Sequence, residues 1–193
     1  IPRAFLNTAT YPVFTDTTST FYPDPNVETT SVDGSVWRDS TGSTWASLRD
    51  GVGTNSDDTE AEGTTLLRVV VHTNPTQFNL LLRSLLLFDT SAISDSDTIT
   101  AGTLSLYGTN KTNTSSIAID ANIYSGVPAS NTALAASDYQ NAFGTTAYST
   151  TISYASWNTA GYNDFVLNAT GIAAISSTGV SKFGLRNANY DVA

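Results

Sequence analysis

The stretch Asn79-Leu80-Leu81-Leu82-Arg83-Ser84-Leu85-Leu86-Leu87-Phe88-Asp89 leaves this chain few ways to fold. Leucine by itself favours a helix, but a short apolar run bounded by turn signals suits a central β-strand. Its neighbours decide for the strand. Asn74-Pro75 marks a turn just before it, because a residue that precedes proline is pushed out of the helical region. Ile99 to Gly108 follows with threonines and glycines that a helix resists, and Ser116 to Tyr124 alternates strictly at 117, 119, 121 and 123. Further strands are expected at Thr65–His72, Tyr148–Tyr154, Tyr162–Leu167 and Ser181–Arg186, and short strands at such spacings indicate a β-sandwich.

Two short helical segments are expected in the second half. Ser137 would cap a single turn at Asp138–Gln140, and Asn168–Ser176 would stop at Gly179. Trp37-Arg38 and Trp45 to Arg49 sit among Gly and Ser, which predicts two short strands or a wide hairpin between Ser31 and Asp50, and Gly51–Gly63 reads as a loop. The first thirty residues hold four of the six prolines (Pro2, Pro12, Pro23, Pro25) and a threonine-rich stretch. We therefore divide the chain into an extended arm, 1–30, and a β-sandwich domain, 31–193. At 193 residues one domain is the natural size, and a core large enough to stand alone is expected.

Composition limits the chemistry. There is no cysteine, which removes thiol catalysis, disulfides, zinc ribbons and iron–sulfur clusters together. Methionine is absent too, and a chain that begins Ile1-Pro2-Arg3 reads as a processed form or a fragment. A lack of both oxidisable sulfur residues suits life outside the cell. Charged residues make up 13% of the chain, about half the usual ~25%, whereas 31 Thr and 23 Ser supply 54 of the 193 positions. Such hydroxyl-rich surfaces belong to secreted sandwiches, adhesins and fibre subunits. The net charge of −9 makes nucleic acid and anionic membranes poor partners, and the longest apolar run, Leu85–Phe88, is far too short to cross a bilayer.

No catalytic constellation emerges. His72 is the only imidazole, no G-x-S-x-G turn accompanies it, and the acids sit mostly in polar loops. Asp58, Glu60 and Glu62 alternate before Gly63 as the first ligands of a calcium loop do, but position 12 would be Val69, so calcium there needs ligands from another loop. Asp95 and Asp97 are a second acidic pair. Either cluster serves equally as a solvated turn. Aromatic platforms for sugar rings are available in Trp37, Trp45 and Trp157, with Tyr154 and Tyr162, each of which also suits a sandwich core. Asn110, Asn113 and Asn168 head glycosylation triplets.

The segments Arg83–Ile93 and Ile99–Tyr107, together with Ala155–Asn158, Gly161–Asn168 and Lys182–Arg186, resemble the DNRLRE-type β-sandwich domains, which are related to an alginate-binding class of carbohydrate-binding modules. The resemblance covers about Thr64 to Arg186. It implies an all-β, jelly-roll-like antiparallel β-sandwich with one or two short helices, secreted or displayed on a surface, not itself an enzyme, sometimes binding glycans or calcium. Similar domains occur in large surface proteins and in phage-like structural proteins. They normally continue past the position of Val192-Ala193 with at least one closing strand, so either the end of the domain is missing here or something else takes that strand's place in the sheet; an edge left without it would recruit an extended segment. The arm supplies an extended segment in Phe5, Leu6, Tyr11, Val13 and Phe14. Inserted into a neighbour's groove it would build a homopolymer, the expected partner being a further copy of the chain. The alternatives are a polysaccharide-binding module and a phage or virion surface protein.

Overall fold

Strand β4, Phe78–Asp89, runs through the middle of the molecule. Leu81, Leu85 and Leu87 on one face and Leu82 and Leu86 on the other are all buried. Both faces of the strand are covered, so an almost unbroken apolar run serves where alternation would put leucine in water. The computed structural model describes residues 18–59, 67–74, 76–114 and 116–192.

Strand β1, Asp33–Ser43, pairs along one side of β4, from Asp33 opposite Leu86 to Ser43 opposite Phe78, and β2, Asn55–Asp57, lies beyond it. Two strands share the other side of β4. β3, Arg68–Val71, pairs with Leu82–Phe78, and β8, Val180–Asn187, pairs with Asp89–Ser84. β6, Ala121–Ser125, completes this six-stranded sheet against β8. β5, Thr103–Gly108, and β7, Gly161–Val166, form a second sheet of two strands. Helices α1 (Trp45–Asp50), α2 (Asp138–Asn141) and α3 (Ala169–Ala173) are short. The architecture is all-β and sandwich-like, and among the described residues every strand pairs antiparallel.

Each face of the large sheet has its own core. On one, Val36, Leu81, Leu85 and Leu87 pack with Leu48 of α1 and Tyr139 of α2. On the other, Leu86, Ile123, Phe183 and Leu185 meet Leu104, Leu106 and Phe165 of the small sheet. Burying a side chain of this size contributes roughly 1.5–3 kcal/mol. Beside the first core the turn after β8 is held by charge. Asp191, fully buried, accepts from Arg83 Nε (2.8 Å) and Arg186 Nε (2.9 Å), and Arg83 lies over the Tyr139 ring at 4.1 Å.

Several expectations need correction. Ser31–Asp50 is one long strand followed by a helix, not two strands or a hairpin. Thr44 accepts the Ser47 N–H and caps α1, while Gly42, at φ +67, turns the end of β1 where its register against β4 shifts. The loop after it contains β2. Ser137 makes no cap; the Asp138 carboxylate instead takes the N–H groups of Ala129 and Ala135 at 2.9 and 2.8 Å. α3 ends at Ala173, well before Gly179, although Asn168 does cap it. Within Tyr148–Tyr154 the contacts are isolated bridges, and only the second half of the alternating Ser116–Tyr124 run lies in a strand.

Candidate functional site

The small sheet has two long edges, and among the described residues neither is joined by a further strand along its length. Just past the end of β7, residues 148–152 cross between the sheets. Ala121 and Ile152 exchange both backbone hydrogen bonds (2.8 and 2.9 Å), Tyr148 N–H donates to Ile123, and Asn168 N–H donates to Tyr148. Ser149 bridges to Leu167. The buried Asn122 side chain fastens this segment. Its Nδ2 donates to the Ser149 carbonyl (3.0 Å) and Thr151 Oγ1 (3.1 Å), and its Oδ1 accepts from Ser149 Oγ. Large sheet and small sheet are thus tied along this flank.

Along β5 and β7 themselves the outward backbone groups are unpaired among the described residues. Leu167 N–H donates to the Gly102 carbonyl at 2.9 Å, which sets the phase of the ladder. In antiparallel pairs, residues alternate between aiming both backbone groups at the partner and aiming both away. Leu104 and Leu106 therefore face β7, and Thr103, Ser105 and Tyr107 present their N–H and C=O groups outward. Among the described residues, no hydrogen bond reaches those backbone groups. Along this edge runs a groove of about 2870 Å³ between the sheets, with Leu86 and Phe88 of β4, Leu106 of β5 and Leu67 among its walls. Phe21 and Tyr22 line it too.

Both ends of the approach are pinned. After β5, Lys111 Nζ donates to the carbonyls of Tyr154, Ala155 and Trp157 at 2.9–3.0 Å, holding residues 109–114 to that turn. Before β1, the Asp24 carboxylate gathers the N–H groups of Thr29 (2.9 Å) and Thr30 (2.6 Å). Backbone hydrogen bonds from Thr30 and Thr29 hold the Asp24 carboxyl well below the usual carboxylate range. On the outer face of the small sheet Tyr107 stands directly opposite Tyr162, ring centroids 5.2 Å apart, and the two are 54% and 64% exposed. Ser105 Oγ donates to Asp164 Oδ1 at 2.7 Å in the next row.

The structure does not bring the three sequence-selected tryptophans together. Trp37 lies on β1 and donates to Asp39, Trp45 lies in α1 between Phe78 and Tyr190, and Trp157 packs towards Phe165. The exposed aromatic pair is Tyr107 with Tyr162, of which sequence reasoning had singled out only the second; the signal for the first is its place in the exposed–buried alternation of β5. Phe5, Leu6, Tyr11, Val13 and Phe14 lie outside the described residues, as do Glu60 and Glu62. Asp58 Oδ2 accepts the Leu134 N–H at 2.8 Å. Among the described residues no group of three or more acids or histidines is placed to hold a metal. His72 Nδ1 accepts the Asn74 N–H in the turn after β3. Asn110 and Asn113 are exposed, whereas Asn168 donates to the Ala147 carbonyl and caps α3. No helix of the described residues is long and apolar enough to cross a membrane.

Chemically, the site offers a row of backbone donors and acceptors beside apolar side chains, which is what an extended peptide recognises. Comparison of the chain with models of known families, with curated proteins and with solved structures finds no match.

Proposed function

We propose that this chain is a non-enzymatic, extracellular structural subunit that assembles into a surface filament, the arm of one copy docking on the β5 edge of the next. The observation that carries this reading is the unpaired edge at Thr103, Ser105 and Tyr107 beside a groove between the two sheets. An added strand would bond those groups and lay apolar side chains over the groove, as Phe5, Leu6, Tyr11, Val13 and Phe14 allow. Edge and arm are different surfaces of one chain, so the contact is heterologous and propagates instead of closing. The hydroxyl-rich, weakly charged surface and the resemblance of residues 83–107 to surface-displayed sandwiches agree with it. Deleting residues 1–15 is expected to abolish filaments in negative stain and leave a folded monomer; filaments that persist refute the proposal.

A second reading, a carbohydrate-binding module, draws support from the exposed Tyr107–Tyr162 pair. Retention of the monomer on alginate or a neutral polysaccharide, lost on Tyr162→Ala, would favour it.

A further inference from the structure

Exposure alone does not tell the three glycosylation triplets apart, because Asn110, Asn113 and Asn168 are all exposed. What separates them is the state of the side-chain amide, whose nitrogen must be free to form a new bond. Asn168 is committed to the fold. Its Nδ2 donates to the Ala147 carbonyl at 2.9 Å, its Oδ1 accepts the Gly171 N–H at 3.0 Å as the cap of α3, and Thr170 lies inside that helix. A sugar on this nitrogen would displace the Ala147 contact and crowd the capped helix start. Asn113 belongs to a triplet that ends at Ser115, which lies outside the described residues. Asn110 and Thr112 differ from both. They are exposed, and among the described residues neither side chain has a hydrogen-bond partner.

Lys111, between them, is fixed. Its Nζ donates to three carbonyls of one turn, those of Tyr154 (3.0 Å), Ala155 (2.9 Å) and Trp157 (3.0 Å), and lies over the Tyr154 ring at 5.3 Å. Residues 109–113 form neither helix nor turn, and successive side chains of such a backbone point to roughly opposite sides. With Lys111 drawn to the 154–157 turn, Asn110 and Thr112 share the side that faces water, an amide and a hydroxyl two residues apart in the Asn-x-Thr order of a glycan acceptor. We infer that Asn110 is the acceptor site of the folded chain for an N-linked sugar, its donor an oligosaccharide carried on a lipid pyrophosphate. In the transfer Asn110 Nδ2 forms a bond to the anomeric carbon of the sugar, and the bond from that carbon to the pyrophosphate oxygen breaks. The lipid pyrophosphate leaves with the bonding electron pair, and the amide gives up one proton to the transferase. Asn110 lines the groove two residues past the end of β5, so the sugar would stand beside the edge without occupying Thr103, Ser105 or Tyr107. Use of the site in a cell rests on the extracellular location proposed above; its chemistry does not.

The test incubates the purified, folded chain with an oligosaccharyltransferase and a lipid-linked oligosaccharide, then reads intact mass and the masses of its peptides. One oligosaccharide on Asn110 is expected, with Asn168 unmodified. Thr112→Ala, an exposed substitution that leaves Asn110 itself in place, is expected to lose the added mass from that position, as is Asn110→Gln. A chain without sugar on Asn110 overturns the inference, and so does sugar on Asn168, sugar on Asn113 alone, or a Thr112→Ala chain that keeps its sugar on Asn110. Neither filaments nor location enters this readout. Each of these failures therefore leaves the filament proposal standing, and filaments that survive deletion of residues 1–15 leave the assignment of Asn110 standing.

Discussion

The β6 edge of the large sheet and the β5 edge of the small sheet show how one set of materials yields a covered edge and an uncovered one. Along β6 the crossing segment 148–152 supplies backbone partners before reaching Leu167 and Asn168 just past β7, and a buried side-chain amide, Asn122, fixes it in place. Along the side of β5 away from β7 the sequence Thr-Leu-Ser-Leu-Tyr-Gly meets no backbone partner among the described residues and carries none of the usual guards of an edge strand, neither lysine nor proline nor an inward charge. In a monomer this costs little, because the outward N–H and C=O groups remain accessible to water. What the contrast teaches is that the chain spends polar side chains to seal one flank and leaves the other able to pair.

The largest effect is expected where neither flank is touched. Asp191→Ala leaves Arg83 and Arg186 buried without their counter-charge, a loss of about 3–5 kcal/mol. Hydrogen exchange should then quicken on both flanks together; a change confined to one would mean that they unfold separately. Burial alone would push the Asp191 carboxyl up, but hydrogen bonds from Arg83 and Arg186, and their charges, outweigh it and hold it below the usual carboxylate range. A depressed folded-state value means the stabilisation is complete above the unfolded value of about 3.9 and is lost as pH falls through the folded one. Urea midpoints from pH 7 to pH 3 should therefore fall more steeply for the native chain than for Asp191→Asn.

Asn122→Ala comes next and separates the flanks. It removes the donor that holds the Ser149 carbonyl and Thr151 and leaves the buried Ser149 hydroxyl without its acceptor, a cost of about 1–3 kcal/mol. The Tyr148 and Ile152 amides should exchange faster while the β5 amides that bond to β7 keep their protection. Equal acceleration across the small sheet would show that the closed flank supports the open one.

How much of this was legible in the sequence follows from the range of each interaction. β4 was readable because a strand covered on both faces needs only its own leucines. β5 and β8 were readable from local composition. The helix α1 was not, since its start depends on Thr44 reaching the Ser47 amide and on the turn at Gly42, against strand-like tryptophan and serine. The Arg83–Asp191 pair joins positions 108 apart, which no local pattern reveals. The resemblance led to the expectation of a strand missing after Ala193, which is a different matter from the unpaired groups on β5, whose identity depends on a hydrogen-bond phase that only coordinates supply.

That phase sets the smallest expected effect on stability and the sharpest on assembly. Ser105 aims its N–H away from β7, so Ser105→Pro removes no ladder bond; the fixed φ of proline and the lost contact to Asp164 should cost about 1 kcal/mol or less. The same change one residue earlier, at Leu104, would break a bond to β7 and empty part of the core. Ser105→Pro is therefore expected to leave the urea midpoint of the monomer nearly unchanged while abolishing filaments, because the middle donor of the three-residue edge is gone and a proline ring stands where an incoming strand must approach. A variant that unfolds would mean that the ladder has the opposite phase, with Ser105 bonded to β7. A variant that folds and still polymerises would mean that subunits meet somewhere other than the β5 edge.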